Sequence, residues 1–274
     1  KEKRFDYFKR TQFSFENWKT IISECKKNKV EFLCSPFSIK AVEILEKLRT
    51  KAYKVASGEV TNLPLLEVIN KTKKFVFLSS GMSNYKELNN AINIFPKKNI
   101  CLMQCSSIYP CPDELIGLNI LDEYKKKYHS KLGFSDHSTD NIAAICFAAS
   151  GAQYIEKHFT LSKSLYGSDA KNAMEPKEFS KYCYQIKKAW RLKNINFDKN
   201  DLRPFLKMKH IFEKSIVAKH EIPKSHTIKH EDLIFLKPGD GIRADNYKKV
   251  VGSKTTRKIK KNSKLRVSDL KFKN

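Results

Sequence analysis

The chain has 274 residues, 41% of them hydrophobic, which is enough for one large domain plus a small one and too many for global disorder. It contains no run of eighteen apolar residues, and the charged, aromatic stretch from Lys1 to Phe15 lacks the apolar segment of a signal peptide, so a cytoplasmic protein without a membrane partner is expected. The formal net charge of +25 raises nucleic-acid binding, but the basic residues run from end to end without a nucleic-acid motif; a lysine-rich solvated surface is the plainer reading, and no nucleic-acid partner is expected.

From Phe15 to about Lys193, helical and strand periods alternate. Phe15 to Lys29 reads as an amphipathic helix and Val30 to Cys34 as a short strand ending at Ser35-Pro36. A helix over Ser38 to Arg49 follows, then a strand over Tyr53 to Ala56 that turns at Ser57-Gly58-Glu59. Asn62 caps a helix to Asn70, and Phe75 to Leu78 is a strand ending in Ser79-Ser80-Gly81. A helix from Asn84 to Ile94 leads to a strand over Ile100 to Gln104, and Leu118 to Tyr128 is helical. Leu132 to Phe134 is a strand ending in Ser135-Asp136-His137, and Asn141 to Ser150 is a helix stopped by Gly151. Tyr154 to Lys157 is a strand ending in His158, and Pro176 opens a last helix to about Lys193.

This rhythm predicts a parallel α/β sheet with right-handed crossovers. It gives six βα units, whereas closed barrels of this kind have eight over about 250 residues. Either the sheet is open, or two units lie outside the chain. Residues 194–210 read as a polar linker. Residues 211–274 read as a small β-rich domain, with strands at Ser215–Ala218, Leu233–Leu236 and Lys264–Val267 and a turn at Pro238-Gly-Asp-Gly241. The seven cysteines are odd in number and never spaced C-x-x-C, which fits a reducing compartment without a structural zinc site.

Ligands of parallel α/β arrays bind at the carboxyl ends of the strands. Those ends carry Ser35, Ser57, Ser79, Ser107 and Ser135, hydroxyls suited to a phosphate or carboxylate, although serine is also common in loops. His137 and His158 end successive strands. Together they could hold a divalent metal with open positions, whereas each alone is more readily a hydrogen-bonded core or loop histidine. Lys54 inside an apolar strand needs a counter-charge or a path to water; an anionic ligand supplies the first and snorkelling the second. Glu59 and Asp169 lie beside turns, where ordinary surface acids also occur.

These segments, in this order, resemble the sialic acid synthase family, which includes legionaminate and pseudaminate synthases. The matching strings are Glu31-Phe-Leu-Cys-Ser-Pro-Phe-Ser38, Lys54-Val-Ala-Ser-Gly-Glu59, Leu78-Ser-Ser-Gly-Met82, Ser107-Ile-Tyr-Pro-Cys-Pro112, Gly133-Phe-Ser-Asp-His137, Glu156-Lys-His-Phe-Thr160 and Gly167-Ser-Asp169, where the family has Gly-Pro-Asp. The resemblance implies a (β/α)8 TIM-type barrel followed by an antifreeze-like (SAF) domain. It also implies condensation of phosphoenolpyruvate with an N-acylated mannosamine-type sugar, using Mn²⁺ or Mg²⁺ and releasing phosphate.

By matching motif, His137 and His158 would be metal ligands. Lys54, Ser35, Ser57, Ser79, Ser107 and Ser135 would hold phosphoenolpyruvate, and Tyr109, Glu59 and Asp169 would contact the sugar. The family's C-terminal domain, carried here over 211–274, reaches the partner subunit of a homodimer with an Arg before Pro-Gly. Lys237 stands at that position and lacks the planar fork of Arg. The family's opening strands, with their Ala-Glu-Ile and Lys-Phe-Gln motifs, have no counterpart, so the resemblance predicts a barrel without its first two units over residues 1–193. Poor solubility, inactivity or a non-catalytic paralogue's role would follow from that reading.

Overall fold

The computed structural model describes residues 2–272, and the chain divides into two compact units at Ile195/Asn196. The first unit begins with helices α1 (Arg4–Arg10), α2 (Phe15–Lys27) and α3 (Ile39–Lys47). Ser14 and Ser38 cap the latter two, accepting hydrogen bonds from the backbone N–H of Asn17 and Ala41, which the free amides of a first turn require. There follow β1 (Ala52–Val55), α4 (Leu63–Lys71), β2 (Phe75–Ser79), α5 (Tyr85–Ile92), β3 (Ile100–Cys105), α6 (Leu118–Tyr128), β4 (Lys131–Asp136), α7 (Ile142–Ala149), β5 (Tyr154–Lys157) and α8 (Pro176–Asn194).

The five strands pair side by side in sequence order, all parallel, with registers such as Lys54 opposite Phe77 and Ser135 opposite Glu156. Central β3 is buried along its whole length, as a strand covered on both faces must be. Helices cover one face through Leu45, Leu65, Leu88, Leu121 and Phe147, and Phe147 stacks on Phe134 of β4 at 3.8 Å and 3°.

One expected strand is corrected. Val30 to Cys34 does not form a strand; only Cys34 bridges to Tyr53, its carbonyl accepting the Lys54 N–H at 3.1 Å. Val30 and Leu33 are exposed, so the run has strand composition without the pairing and cover that make a strand. The observed sheet therefore has five strands where the sequence pattern predicts six.

The second unit contains α9 (Leu206–Phe212), β6 (Ser215–Ala218), β7 (Leu233–Leu236), α10 (Tyr247–Val250), β8 (Lys254–Thr255) and β9 (Leu270–Lys271). The stretch expected as a linker thus carries a 3-10 turn at Arg203–Phe205 and most of a helix. Lys264 to Val267 is not a strand either: Lys264 makes one bridge to Val217, and Val267–Asp269 is a 3-10 turn.

This unit is an internal duplicate. Ile222, Ile228, Asp232 and Leu233 recur at a constant offset as Ile259, Leu265, Asp269 and Leu270, and all but the two aspartates lie in its apolar core. The same offset carries the β6–β7 hairpin onto β8–β9, and exchanges the Val217–Lys264 and Thr227–Lys254 bridges about the central Ile222–Ile259 pair.

Candidate active site

The carboxyl ends of β1 to β5 open into a cavity of about 540 Å³. Its lining includes Ser35, Lys54, Ser57, Ser79, Ser107, Tyr109, Ser135, His137 and His158, so nine of the residues nominated from sequence meet there. Lys54, Ser79 and Ser135 lie on the strands, and the other six lie in the segments just beyond strand ends or, for Ser35, beyond the Cys34 bridge. Side chains at every second position face the same way, and the last such residue of each strand tops the sheet.

Lys54 is only 7% exposed, so its charge needs partners. Its ammonium donates to Ser79 Oγ at 2.7 Å and lies 3.3 Å from both the Val55 carbonyl and Glu156 Oε2. Ser135 Oγ donates to the same Glu156 oxygen at 2.7 Å. The Glu156 carboxylate thereby sits where an incoming anion would find both donors. Ser57 Oγ accepts the Gly81 N–H at 3.1 Å. A Cβ on Gly81 would stand 2.3 Å from Ser107 Oγ and 2.7 Å from Ser57 Oγ, so any side chain there displaces both hydroxyls.

The two imidazoles face each other with centroids 5.3 Å apart, and Tyr109 packs 4.1 Å from the His137 ring and 5.6 Å from that of His158. Their strand ends are pinned: the His137 carbonyl accepts the Cys111 N–H and the His158 carbonyl the Met174 N–H, each at 2.9 Å. His137 Nδ1 lies 2.8 Å from the Ser106 carbonyl. A carbonyl only accepts, so Nδ1 carries the proton and Nε2 keeps its lone pair. That is the arrangement of a metal-binding histidine, whose second nitrogen is oriented by a backbone oxygen. His158 Nδ1 lies 3.6 Å from Asp169 Oδ2.

Among the described residues no group of three or more His, Cys, Asp or Glu could hold a metal ion. The donor set fits a divalent cation held by two imidazoles with the remaining positions left to water or substrate oxygen, as catalytic sites require. Burial disfavours the charged form of both rings. It leaves His158 below its ordinary value, the Asp169 carboxylate offsetting it only in part. At His137 burial is outweighed by Cys105 and the Ser106 carbonyl, which raise it. Cys105 Sγ, 3.8 Å away, is pushed up by burial but held below the usual thiol range by His137, Ser57 and Ser107. A cation on Nε2 would displace the second proton and restore the neutral ring.

Three nominated residues lie outside this lining. Glu59 accepts from Asn62 Nδ2 at 2.7 Å within its own turn. Asp169 reaches the site only through its approach to His158. Lys237 belongs to the second unit, where its ammonium stands 4.7 Å from the centroid of the Phe212 ring. Conversely, Glu156 and Cys105 line the cavity without having been nominated. Glu156 was legible as the residue two before His158 on one strand face; Cys105 follows the strand expected over Ile100 to Gln104 and had no chemistry assigned to it.

The NeuB family profile matches residues 1–195 and the SAF domain profile residues 213–271. The chain is 32% identical over 270 residues to the N,N'-diacetyllegionaminic acid synthase of Campylobacter jejuni, covering 97% of this chain and 80% of that protein. It is 29% identical over 274 residues to the pseudaminic acid synthase of Helicobacter pylori, covering 98% and 80%. The solved N-acetylneuraminic acid (sialic acid) synthetase of Leptospira borgpetersenii, in complex with citrate, superimposes with a TM-score of 0.68 at 26% identity, over 73% of this chain and 72% of that one. A parallel sheet with lysine, serines and paired histidines at its strand ends, followed by a duplicated β unit, is thus matched region by region, and the chain belongs to the NeuB family and carries a SAF domain.

Proposed function

We propose that the chain is a nonulosonic acid synthase that condenses phosphoenolpyruvate with an N-acylated mannosamine-type sugar and releases phosphate. One observation carries this reading. Lys54 and the strand-end hydroxyls form an anion cradle that shares a cavity with two facing imidazoles, one of which donates from Nδ1 to the Ser106 carbonyl and keeps Nε2 free. The family assignment and the named relatives support it. We assign the barrel, as in the family, to a (β/α)8 architecture of which this sheet is part.

In the proposed reaction C3 of the enol phosphate attacks the aldehyde carbon, and the carbonyl electron pair passes to oxygen, which takes a proton. Water adds at the resulting C2 cation and gives up a proton. The C2–O(phosphate) bond then breaks as the ketone forms. Lys54, Ser35, Ser57, Ser79, Ser107 and Ser135 bind and orient the trianion; holding both reactants at contact distance contributes roughly 7–11 kcal/mol to lowering the barrier. His137 and His158 would hold Mn²⁺ or Mg²⁺, which supplies Lewis-acid polarisation of the aldehyde oxygen.

Glu156, displaced from Lys54 and Ser135 by the substrate anion, is assigned to take the proton of the attacking water at Oε2. Tyr109, Asp169, Glu59 and Lys237 are assigned to the sugar, and a homodimer belongs to the same proposal.

A phosphate-release assay tests the reading. Release should require phosphoenolpyruvate, an N-acylated mannosamine and Mn²⁺ together, and Glu156→Gln should lower kcat more than it raises the KM for phosphoenolpyruvate. Release without the sugar, or none with all three present, would reject the assignment.

A further inference from the structure

A second cavity, of about 300 Å³, lies behind the catalytic one and shares His137 and Lys157 as its wall. Four lysines line it, Lys157, Lys163, Lys171 and Lys181, against the single carboxylate of Glu178. Lys157 has a 2% exposed side chain and is neutralised from below by Asp136 at 3.1 Å, which Tyr182 also holds by a hydrogen bond of 2.7 Å. Lys163 pairs with Glu178 at 2.8 Å. Lys171 and Lys181 have no carboxylate partner among the described residues. Two cations are therefore uncompensated around one concavity, with the Thr139 hydroxyl and Asn172 amide beside them.

Like charges gathered in a concave wall repel one another and focus a positive field, which an anion relieves. Lysine ammoniums are point donors that suit a multi-oxygen dianion, while a hydroxyl and an amide supply further hydrogen bonds. The volume admits a phosphate or a small phosphomonoester and leaves little room for a polymer. A general excess of lysine spreads over a surface. Here the lysines come from three places, the end of β5, the loop beyond it and α8, and converge.

We propose that this cavity is a second oxyanion site, which takes a phosphate or phosphomonoester dianion between Lys171 and Lys181, apart from the substrate cradle at Lys54. The site is independent of the reaction assigned above.

The test is calorimetric titration of the full chain with inorganic phosphate and, separately, glycerol phosphate at constant ionic strength. Lys171→Ala/Lys181→Ala should weaken one binding event at least about tenfold, as loss of charge-assisted hydrogen bonds predicts. Lys187→Ala/Lys188→Ala removes the same charge from exposed positions of α8 and should leave that event unchanged. Lys54→Gln should also leave it unchanged. Binding of both probes marks a phosphomonoester site, and binding of inorganic phosphate alone a free-phosphate site. Equal weakening by the two double variants, or loss of all binding with Lys54→Gln, would overturn the proposal. All the substituted residues except Lys54 are exposed, and a thermal melt checks that each variant folds.

Discussion

Both units bury charged side chains; the second saturates its aspartates, as the first does Asp136, but the strand ends facing the cavity of the first differ. In the SAF domain Asp232 is 4% exposed and saturated: it accepts from the Lys229 N–H at 2.8 Å and pairs with His220 and His226 at 2.9 and 2.8 Å. Its duplicate Asp269 accepts from the Arg266 N–H at 2.9 Å and Arg257 Nε at 2.6 Å. These carboxylates close turns at equivalent places. In the first unit Lys54 shares a carboxylate with Ser135, and His137 uses one ring nitrogen and leaves the other bare. Buried polar groups cost stability unless satisfied, and here Lys54 and Ser135 are satisfied through Glu156, a carboxylate that a ligand anion can replace, while His137 keeps one lone pair for a ligand. The comparison predicts that substitutions in the strand-end cluster harm activity far more than folding, and that substitutions of Asp232 and Asp269 do the reverse.

The sharpest test lies at the histidines. His137→Ala or His158→Ala should lower kcat/KM by about a thousandfold, since Lewis-acid polarisation is worth several kcal/mol and each 1.36 kcal/mol is about tenfold. A chelator should have the same effect on the native chain, with activity restored by Mn²⁺. Thermal melting should move little. Undiminished phosphate release in either variant removes the metal assignment.

Asp232→Ala should reverse the pattern. Hydrogen bonds to charged groups contribute about 1.5–3 kcal/mol, and the half-exposed histidine partners return to water, so a loss of about 2–3 kcal/mol is expected for the second unit. Hydrogen exchange at Ile216, Val217 and Ala218, all fully or nearly fully buried in β6, would report it. Protection there as strong as in the native chain would mean that Asp232 is not what holds the turn.

Much of this division was legible in the sequence. The strands β1 to β5 are short apolar runs between turn residues, and a run like Ile100 to Cys105 has few alternatives. Lys54, His137, His158 and the serines followed from the rule that strand ends carry the site. Pairing was not legible: Val30 to Cys34 and Lys264 to Val267 have strand composition, but whether a neighbour lies alongside is a property of distant residues. Glu156 and Glu59 show the same limit. Both are acids near a strand end, yet one faces its neighbour's serine across the sheet while the other is claimed by Asn62 three residues on. The SAF duplication is hard to read from the sequence because its matching apolar positions are few and are separated by polar, lysine-rich stretches.

A smaller effect probes the cradle itself. Gly81→Ala puts a methyl against the Ser107 and Ser57 hydroxyls, which are the free ends of short side chains and swing away at little cost to folding. Both would then be misaimed toward the anion. The KM for phosphoenolpyruvate should rise about tenfold, the worth of one charge-assisted hydrogen bond, with kcat nearly kept. A loss confined to thermal stability would place Gly81 with the structural residues instead.

The smallest effect is in pH. Burial pushes the Asp232 carboxyl up, but the Lys229 N–H and the His226 and His220 rings outweigh it and hold it below the usual carboxylate range. A carboxyl depressed in the folded state adds stability above its unfolded value, about 3.9, and that stability is lost as pH falls through the lower folded value. Hydrogen exchange of β6 should therefore show the second unit weakening below about pH 4, and Asp232→Asn should flatten the slope. Glu213 and Asp240 of the same unit are also held low, by Lys209 and Lys264, so only the difference between native chain and variant isolates Asp232. Equal slopes in the two would show that the saturated carboxylate contributes shape to the turn and no charge-dependent stability, which would narrow the contrast between the units to one of geometry.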